Sequence, residues 1–185
     1  MGVDIYLFAT NQDVLDNSKQ KRTRSHNLSR TFGYFMSRQG VVEGEPELDQ
    51  IGRLINIDIA PLYEMEKYVT EDDLQYWLEY ENEEDKPEIV QRVEADRASV
   101  EGNIDRVAST IEAMLTSLAA ITNLPQLLTD NGHDTLNHQV YFADFAKDND
   151  NTYTSNNFGQ DLRNFKSFLD YVKGHGTNTV FFVYG

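Results

Sequence analysis

The sequence predicts an α+β fold, in which a small sheet contains both terminal strands and the helical middle includes one long heptad-patterned helix. Apolar, β-rich runs lie at both ends of the chain, and helical apolar periodicity fills the region between them. The 185 residues include ten Phe, ten Tyr and one Trp, which are enough large apolar side chains for one core. We therefore expect a single domain over residues 1–185, with an acidic helical hairpin over 70–122 inserted between the sheet segments.

Three segments have the composition of strands. Val3–Ala9 is short, β-rich and followed by polar residues, and Thr177–Tyr184 is rich in β-branched and aromatic residues. Such side chains suit the pleated surface of a sheet. His138–Ala143 is a third, weaker candidate. Strands at both termini, with helices between them, predict that the two ends of the chain pair in one sheet.

Local end signals indicate where helices begin and stop. Apolar residues between Gln160 and Lys173 recur at helical spacing, and Gly174 is the expected left-handed residue after that helix. Residues 70–73, Thr-Glu-Asp-Asp, are typical of a capped helix start, because the acids lie at the positive end of the helix dipole. Pro87 suits the first turn of the next helix.

A heptad stripe dominates residues 87–122. Its apolar members fall at alternating steps of three and four, and Arg97 fills the one vacancy. They are Val90, Val93, Val100, Ile104, Val107, Ile111, Met114, Leu118 and Ile121. A continuous helix over this range would be about 54 Å long, whereas a compact chain of this length is roughly 40 Å across. The helix must therefore project, bend or break near residues 97–102, and the charge of Arg97 must find an acid or reach solvent.

The apolar stripe needs cover from another element. The preceding predicted helix, Glu71–Asn82, spans three turns and is too short to shield the Val100–Ile121 half as well. That half must pack on the sheet and the C-terminal helix, or on a second protomer. We predict a monomer in which it forms the core, because acids near residues 81–88 would repel a symmetry mate. A homodimer through the stripe is the alternative.

Basic and acidic residues are separated along the chain. Residues 43–101 contain 19 of the 31 acids and five basic residues, so this third carries nearly all of the formal net charge of −15. A field of this sign opposes binding to nucleic acid and to anionic membranes, and it favours a basic protein partner. The candidate partner-binding residues are Glu71, Asp72, Asp73, Trp77, Glu79, Tyr80, Glu83, Glu84 and Asp85, with the two aromatic residues as anchors. The alternative is a solvated helix face that serves solubility.

A basic segment, residues 19–38, lies before the acidic region. It contains six Lys or Arg residues and no acid, and its apolar residues Leu28, Phe32, Phe35 and Met36 share one helical face. It is either an anion- or partner-binding surface, or a core-packing helix whose basic residues pair with the chain's own acidic helices. We favour the second interpretation.

No catalytic residue can be assigned from a motif, since the sequence lacks a nucleophile elbow, a phosphate-binding loop and a zinc-protease signature. The histidines are His26, His133, His138 and His175. Their spacing matches no metal-ligand pattern, so we predict surface turn histidines, no metal and no cofactor. Residues 148–151 resemble the start of a calcium loop, but Tyr153 stands where that loop requires Gly. We predict a polar, mobile loop over 147–159.

The composition also indicates a compartment. The chain has no cysteine, its N-terminus lacks the basic and apolar regions of a signal peptide, and no apolar run approaches the roughly 20 residues of a membrane span. We predict a cytoplasmic protein.

The opening Met1-Gly2-Val3-Asp4-Ile5-Tyr6-Leu7 resembles that of a group of small bacterial and phage proteins of unknown function. Those chains open Met-Gly-Leu-Asp-Met/Ile-Tyr-Leu and end in a helix and an aromatic-rich strand, here Asp161–Lys173 and Val180–Tyr184. The resemblance implies a cytoplasmic α+β domain, and its phage and mobile-element associations favour an interaction or inhibitor role.

Three function classes follow from these observations. The first is a stoichiometric binding protein that acts on a basic partner as an inhibitor, immunity or anti-defence factor. The second is a small hydrolase or nucleotide-processing enzyme with a site near the edge of the sheet. The third is a structural or regulatory homodimer through the heptad stripe.

Overall fold

Both ends of the chain meet in one antiparallel sheet. The computed structural model describes residues 4–11, 23–130, 138–149 and 156–185. Strand β1 (Ile5–Ala9) pairs with β2 (Val180–Tyr184), with Ile5 opposite Tyr184 and Ala9 opposite Val180. The apolar composition of Val3–Ala9 suggests a strand buried on both faces, but only alternate residues of β1 are buried and Tyr6 is 45% exposed, so one face alone lies on the core. The prediction of an α+β fold with paired terminal strands and a helical middle is confirmed; Val3 lies outside the described residues.

Helices occupy most of the described chain between the strands. They are α1 (Arg30–Met36), α2 (Glu47–Ile55), α3 (Ala60–Glu64), α4 (Glu71–Tyr80), α5 (Lys86–Val100), α6 (Ile104–Leu118), α7 (Leu124–Leu127), α8 (His138–Tyr141) and α9 (Phe158–Gly174). Two 3-10 turns, Arg24–His26 and Met65–Lys67, precede α1 and α4.

The heptad stripe is divided between two helices, so it does not form one long helix. Helix α5 ends at Val100 and α6 begins at Ile104, and Gly102 between them has φ +72°, in the left-handed region. A helix cannot continue through that conformation, and glycine adopts it without a steric cost. The length of the stripe required the helix to project, bend or break, and the structure shows that it breaks.

The break is attached to the first residues of β2. The side-chain amide of Asn103 donates to the Val180 carbonyl at 2.8 Å and accepts from the Val180 N–H at 2.9 Å, as a neighbouring strand would. The Gly102 N–H donates to Thr179 Oγ1 at 2.9 Å. These bonds replace the helical hydrogen bonds that are lost at the break, and they hold the start of α6 against the sheet.

The C-terminal half of the stripe forms the core, as predicted. On α6, Val107, Ile111 and Met114 are fully buried and belong to the main apolar cluster. Helix α6 packs chiefly on α9, whose Phe165 and Phe168 are also fully buried. Because this half is covered within the chain, no apolar stripe on it remains for a second protomer.

The N-terminal half of the stripe belongs to a hairpin of α4 and α5. Val93 and Val100 on α5, and Leu74 on α4, are buried, but they lie outside the main apolar cluster. Helix α4 begins as predicted, because Thr70 Oγ1 accepts the Asp73 N–H. The hairpin packs on the 3-10 turn Met65–Lys67 rather than on the centre of the domain.

The charge of Arg97 is paired, as the sequence analysis required. Its Nε donates to the Val69 carbonyl at 2.7 Å, and its Nη1 lies 3.3 Å from a carboxylate oxygen of Glu71. The guanidinium carbon is 5.7 Å from the centre of the Tyr68 ring. Arg97 therefore joins α5 to the segment that leads into α4.

The third predicted strand is wrong, because His138–Tyr141 is helical. His138, Tyr141 and Phe142 are buried whereas Val140 is 60% exposed, which is helical spacing and not the alternation of a strand. A short apolar run does not distinguish a strand from a buried helical turn, since both require the same residue types.

Two boundaries of α9 also differ from the prediction. The predicted loop over 147–159 ends early, because Asn157 caps α9 and Phe158 and Gly159 are helical; residues 150–155 lie outside the described part. At the other end α9 includes Gly174, and Gly176, with φ +81°, takes the left-handed conformation. The helix therefore ends at the earlier glycine of the Gly-His-Gly sequence, and the left-handed conformation falls on the later one.

Truncating the buried seam should destabilise the protein more than removing the Arg97 charge. We expect Ile111→Ala or Leu118→Ala to lower the free energy of unfolding by about 2–4 kcal/mol, because each leaves a cavity in the core. Arg97→Leu should keep the fold and change stability by no more than about 2 kcal/mol. Chemical denaturation followed by circular dichroism measures all three. Near-zero effects of both apolar truncations would contradict the buried seam.

The intramolecular cover of α6 supports the predicted monomer. Light scattering at micromolar concentration and moderate salt should give the chain mass of 21.3 kDa. Twice that mass under these conditions would favour the homodimer instead.

Candidate functional site

The α4–α5 hairpin exposes three aromatic rings on one helix. Tyr76, Trp77 and Tyr80 are 61%, 40% and 71% exposed, and their spacing along α4 directs them to one side. The rings of Tyr76 and Tyr80 lie 5.0 Å apart, centre to centre. We call these three residues the aromatic face. Leu74 is the buried residue of α4, so most of this helix is available to solvent.

Acidic side chains surround the aromatic face. Several are engaged locally: Glu83 pairs with Lys86 at 2.5 Å, and Thr70 donates to the Asp73 carboxylate at 2.5 Å. Asp72, Glu79 and Glu84 are exposed and form no ion pair with any described residue. These unpaired charges give the surface a negative field that local cations do not cancel.

All nine predicted partner-binding residues lie on α4, on the turn after it, or at the start of α5, and all nine are exposed. Glu71 differs from the others because it also holds the hairpin together. The amide of Gln75 and, next in effect, the guanidinium of Arg97 keep the pKa of Glu71 below its ordinary value. The sequence analysis missed Tyr76, although a helical projection of residues 76, 77 and 80 would have placed it on the same face.

The basic segment is a core-packing element over its described part. Phe32, Phe35 and Met36 of α1 are buried, Arg30 pairs with Asp4, and Arg38 pairs with Glu47 at the start of α2. The core packing predicted for this segment is therefore confirmed over its described part, and the pair of Arg30 with Asp4 adds a contact to the N-terminal segment. Residues 19–22 lie outside the described part.

A carboxylate at the centre of the domain joins three elements. Asp161 of α9 is fully buried and accepts from the Ser29 N–H at 2.9 Å, Ser29 Oγ at 2.5 Å, Tyr141 Oη at 2.8 Å and Asn156 Nδ2 at 2.8 Å. Ser29 also caps α1, so the cluster ties the start of α1 to α8 and α9. Burial raises the pKa of Asp161 to about 6, against the effect of its hydrogen bonds. Because four hydrogen bonds engage this carboxylate, we infer that Asp161 has a structural role.

The prediction of surface turn histidines is wrong for two of them. His26 is buried and stacks on Tyr171 with the ring centres 4.9 Å apart. His138 is buried on α8, beside Glu47 and Arg38, in a cluster to which Asp130 also belongs. The half-buried His175 follows the end of α9, as predicted, and His133 lies outside the described residues. The segment 138–142 was assigned to a strand, but it begins as a helix that buries His138. This is why His138 does not lie at the surface as predicted.

A cleft of about 390 Å³ lies at the edge of the sheet, where an enzyme site was one of the sequence-based alternatives. Its ionisable side chains are Tyr68, Glu94, Arg97 and Glu101. Arg97 is already engaged by Val69 and Glu71, and the lining supplies no histidine, serine or cysteine as a base or nucleophile. The lining retains two carboxylates and the hydroxyls of Thr10 and Thr179, so the cleft by itself assigns no reaction.

No protein-family model, no curated protein and no solved structure matches this chain. Among the helices that the structure describes, none combines the length and the apolar character needed to cross a bilayer.

Asp161 should make the stability of the domain depend on pH. Because folding raises its pKa from an ordinary 3.8 to about 6, the folded state favours the protonated carboxyl. Its contribution is fully present below the ordinary pKa and is lost as pH rises through about 6. An Asp161→Asn variant lacks this titration, so the free energy of unfolding of the natural chain should fall relative to that variant by roughly 3 kcal/mol between about pH 4 and pH 7.

Urea denaturation at a series of pH values measures this difference. Asp170→Asn is the matched control, because Asp170 is an exposed acid of the same helix and pairs only with Lys166 among the described residues. That control should follow the natural chain. Parallel stability curves for the natural chain and Asp161→Asn would contradict the assigned titration.

Proposed function

We propose that this protein is a stoichiometric protein-binding module, which presents its α4–α5 hairpin to a basic protein partner. The aromatic face, exposed among unpaired acids on a hairpin outside the main core, is the observation that carries this proposal. The proposed action is that of an inhibitor, immunity or anti-defence factor in the cytoplasm. The resemblance of the chain ends to phage and bacterial proteins supports that action.

The aromatic face has the composition of an interface centre. Tyr and Trp dominate binding hot spots, because a large rigid ring buries much apolar area and loses little conformational entropy. The rings of Tyr76 and Tyr80 contact each other, Trp77 is exposed beside them on the same helix, and each of the three side chains keeps at least 40% of its surface exposed. Water beside these rings would be released when a partner covers them, which favours association.

The acidic residues determine which charge the partner's surface must carry. Asp72, Glu79 and Glu84 lie on the same helix or on the following turn and are unpaired with described residues. A basic surface would approach this field faster than a neutral one, whereas nucleic acid and other acidic proteins would be repelled. The rings then supply affinity after contact, and the acids supply selection and orientation.

Photo-crosslinking tests whether the aromatic face meets a partner. A photoreactive phenylalanine derivative replaces Tyr80 in the full chain, which is expressed in its natural host. The control places the same group at Tyr6, which is also exposed but lies on β1. We expect a basic protein to be crosslinked from position 80 and not from position 6. Equal crosslinking from both positions, or an acidic protein at position 80, would contradict the proposal.

Affinity and salt dependence then separate the roles of rings and charges. With the crosslinked partner purified, Trp77→Ala should weaken binding at least tenfold, whereas Tyr6→Ala should leave it unchanged. The triple variant Asp72→Asn, Glu79→Gln, Glu84→Gln should slow association and flatten its dependence on salt between about 50 mM and about 500 mM. Surface plasmon resonance measures both. Association that is insensitive to salt would rule out the electrostatic part of the proposal.

A further inference from the structure

A buried carboxylate near the start of α2 has few partners for its charge. Glu47 is 0% exposed, and neither of its carboxylate oxygens accepts a hydrogen bond from a described residue. Arg38 Nε lies 3.3 Å from Oε2, outside hydrogen-bond geometry, which leaves Oε1 directed elsewhere. A buried carboxylate normally collects several donors, as Asp161 does, because desolvation without them is costly.

Oε1 of Glu47 faces a second acceptor. His138 Nδ1 lies 3.9 Å from it, and the opposite ring nitrogen, Nε2, lies 3.2 Å from the Pro125 carbonyl oxygen. A carbonyl accepts only, so Nε2 carries the proton and donates it to Pro125. When the ring is neutral, the lone pair of Nδ1 therefore points towards a carboxylate oxygen, and no described residue donates to that nitrogen. A positive species between the two atoms would remove the repulsion.

Asp130 places a third potential metal-ligand atom near Glu47 and His138. One carboxylate oxygen of Asp130, one of Glu47 and a ring nitrogen of His138 all lie within 4.8 Å of one another. Gln50, one turn along α2 from Glu47, holds the neighbouring backbone: its Oε1 accepts the Thr129 N–H at 2.7 Å, and its Nε2 donates to the Thr129 carbonyl at 3.0 Å. The backbone beside Asp130 is thus held by the helix that carries Glu47.

We propose that Glu47, Asp130 and His138 bind a divalent transition-metal ion of the zinc type. Two donors about 2.1 Å from one ion at a tetrahedral angle are about 3.4 Å apart, so the 3.9 Å between Nδ1 and Oε1 closes with a shift of half an ångström. An imidazole with two carboxylates suits zinc or its first-row neighbours better than magnesium or calcium, which prefer oxygen alone. The Nε2–H bond to a carbonyl is the outer contact that orients metal-binding histidines.

Arg38 is compatible with this ion. It lies beside Oε2, on the other oxygen of the carboxylate from the one that faces His138. Its guanidinium carbon also lies over the rings of Tyr34 and Phe35, at 5.1 and 5.5 Å from their centres. The described residues of this cluster include two carboxylates and one guanidinium. Arg38 would orient Glu47 as an outer-sphere residue and limit the affinity for the ion.

The bound ion would connect distant parts of the chain. Glu47 begins α2, Asp130 follows α7, and His138 begins α8. His138 also packs on Phe142, which contacts Phe35 in the core. An ion that binds only the folded chain would stabilise it. None of these residues belongs to the hairpin, so the ion site and the proposed partner surface stand or fall separately.

Zinc binding by the full chain tests the site. Protein freed of metal by a chelator is titrated with Zn²⁺ in a calorimeter, and Co²⁺ is used in parallel for its absorption spectrum. We expect one ion per chain with micromolar affinity or tighter and a higher melting temperature. Asp130→Asn should weaken binding at least tenfold, and this exposed residue can change without opening the core. Asp72→Asn, with the same loss of charge on the hairpin, should bind as the natural chain does.

Nuclear magnetic resonance of the ring nitrogens identifies the ligand atom. Addition of Zn²⁺ should shift the ¹⁵N resonance of His138 Nδ1 and leave Nε2 protonated. Gln50→Ala should weaken binding without changing this ligand signature, as a positioning residue would. Three results would overturn the proposal: no zinc binding by the natural chain; equal losses in Asp130→Asn and Asp72→Asn, which indicate ions adsorbed on the acidic surface; or an Nδ1 that is already protonated at neutral pH and unmoved by zinc.

Discussion

The pairing of β1 with β2 is the interaction on which the rest of the structure depends. A two-stranded sheet is marginal by itself, so it must be covered by helices on its apolar face. Helices α1 and α9 contact β1 and pack Phe32 and Phe165 on Phe182 of β2, and α9 leads directly into β2. The pairing therefore brings the first and last segments of the chain together and also fixes which helices form the core.

The sheet also explains why the heptad stripe breaks. Asn103 bonds to the backbone of Val180, and Gly102 bonds to Thr179, so the start of α6 is held at the beginning of β2. A straight helix could not both satisfy these bonds and continue along the direction of α5. The left-handed Gly102 accommodates the change of direction, and α5 leaves the core to pair with α4. The exposed acidic hairpin is a consequence of how α6 docks on the sheet.

Acidic residues in this protein occupy three physically different environments. Asp161 is buried with four hydrogen-bond donors, which offset part of its desolvation, and it joins three elements. Asp72, Glu79 and Glu84 are exposed, where water solvates them at little cost. Glu47 is buried without hydrogen bonds from the described residues and lies 3.9 Å from a ring nitrogen of His138, which is the basis of the proposed cation site. The same residue type thus supports a structural, a partner-facing and a metal-binding hypothesis according to its surroundings.

Local patterns in the sequence determined the terminal strands, the Thr70 helix start, the buried seam of α6 and the location of the acidic surface. Each depends on neighbours within one or two helical turns, which a linear reading includes. The α8 helix was missed because a four-residue apolar turn and a strand select the same side chains. The cluster of Arg38, Glu47, Asp130 and His138 was missed for a different reason. Its members are up to 100 positions apart and come together only when α2 packs beside the segment after α7, so their burial, and with it their chemistry, was decided by tertiary structure.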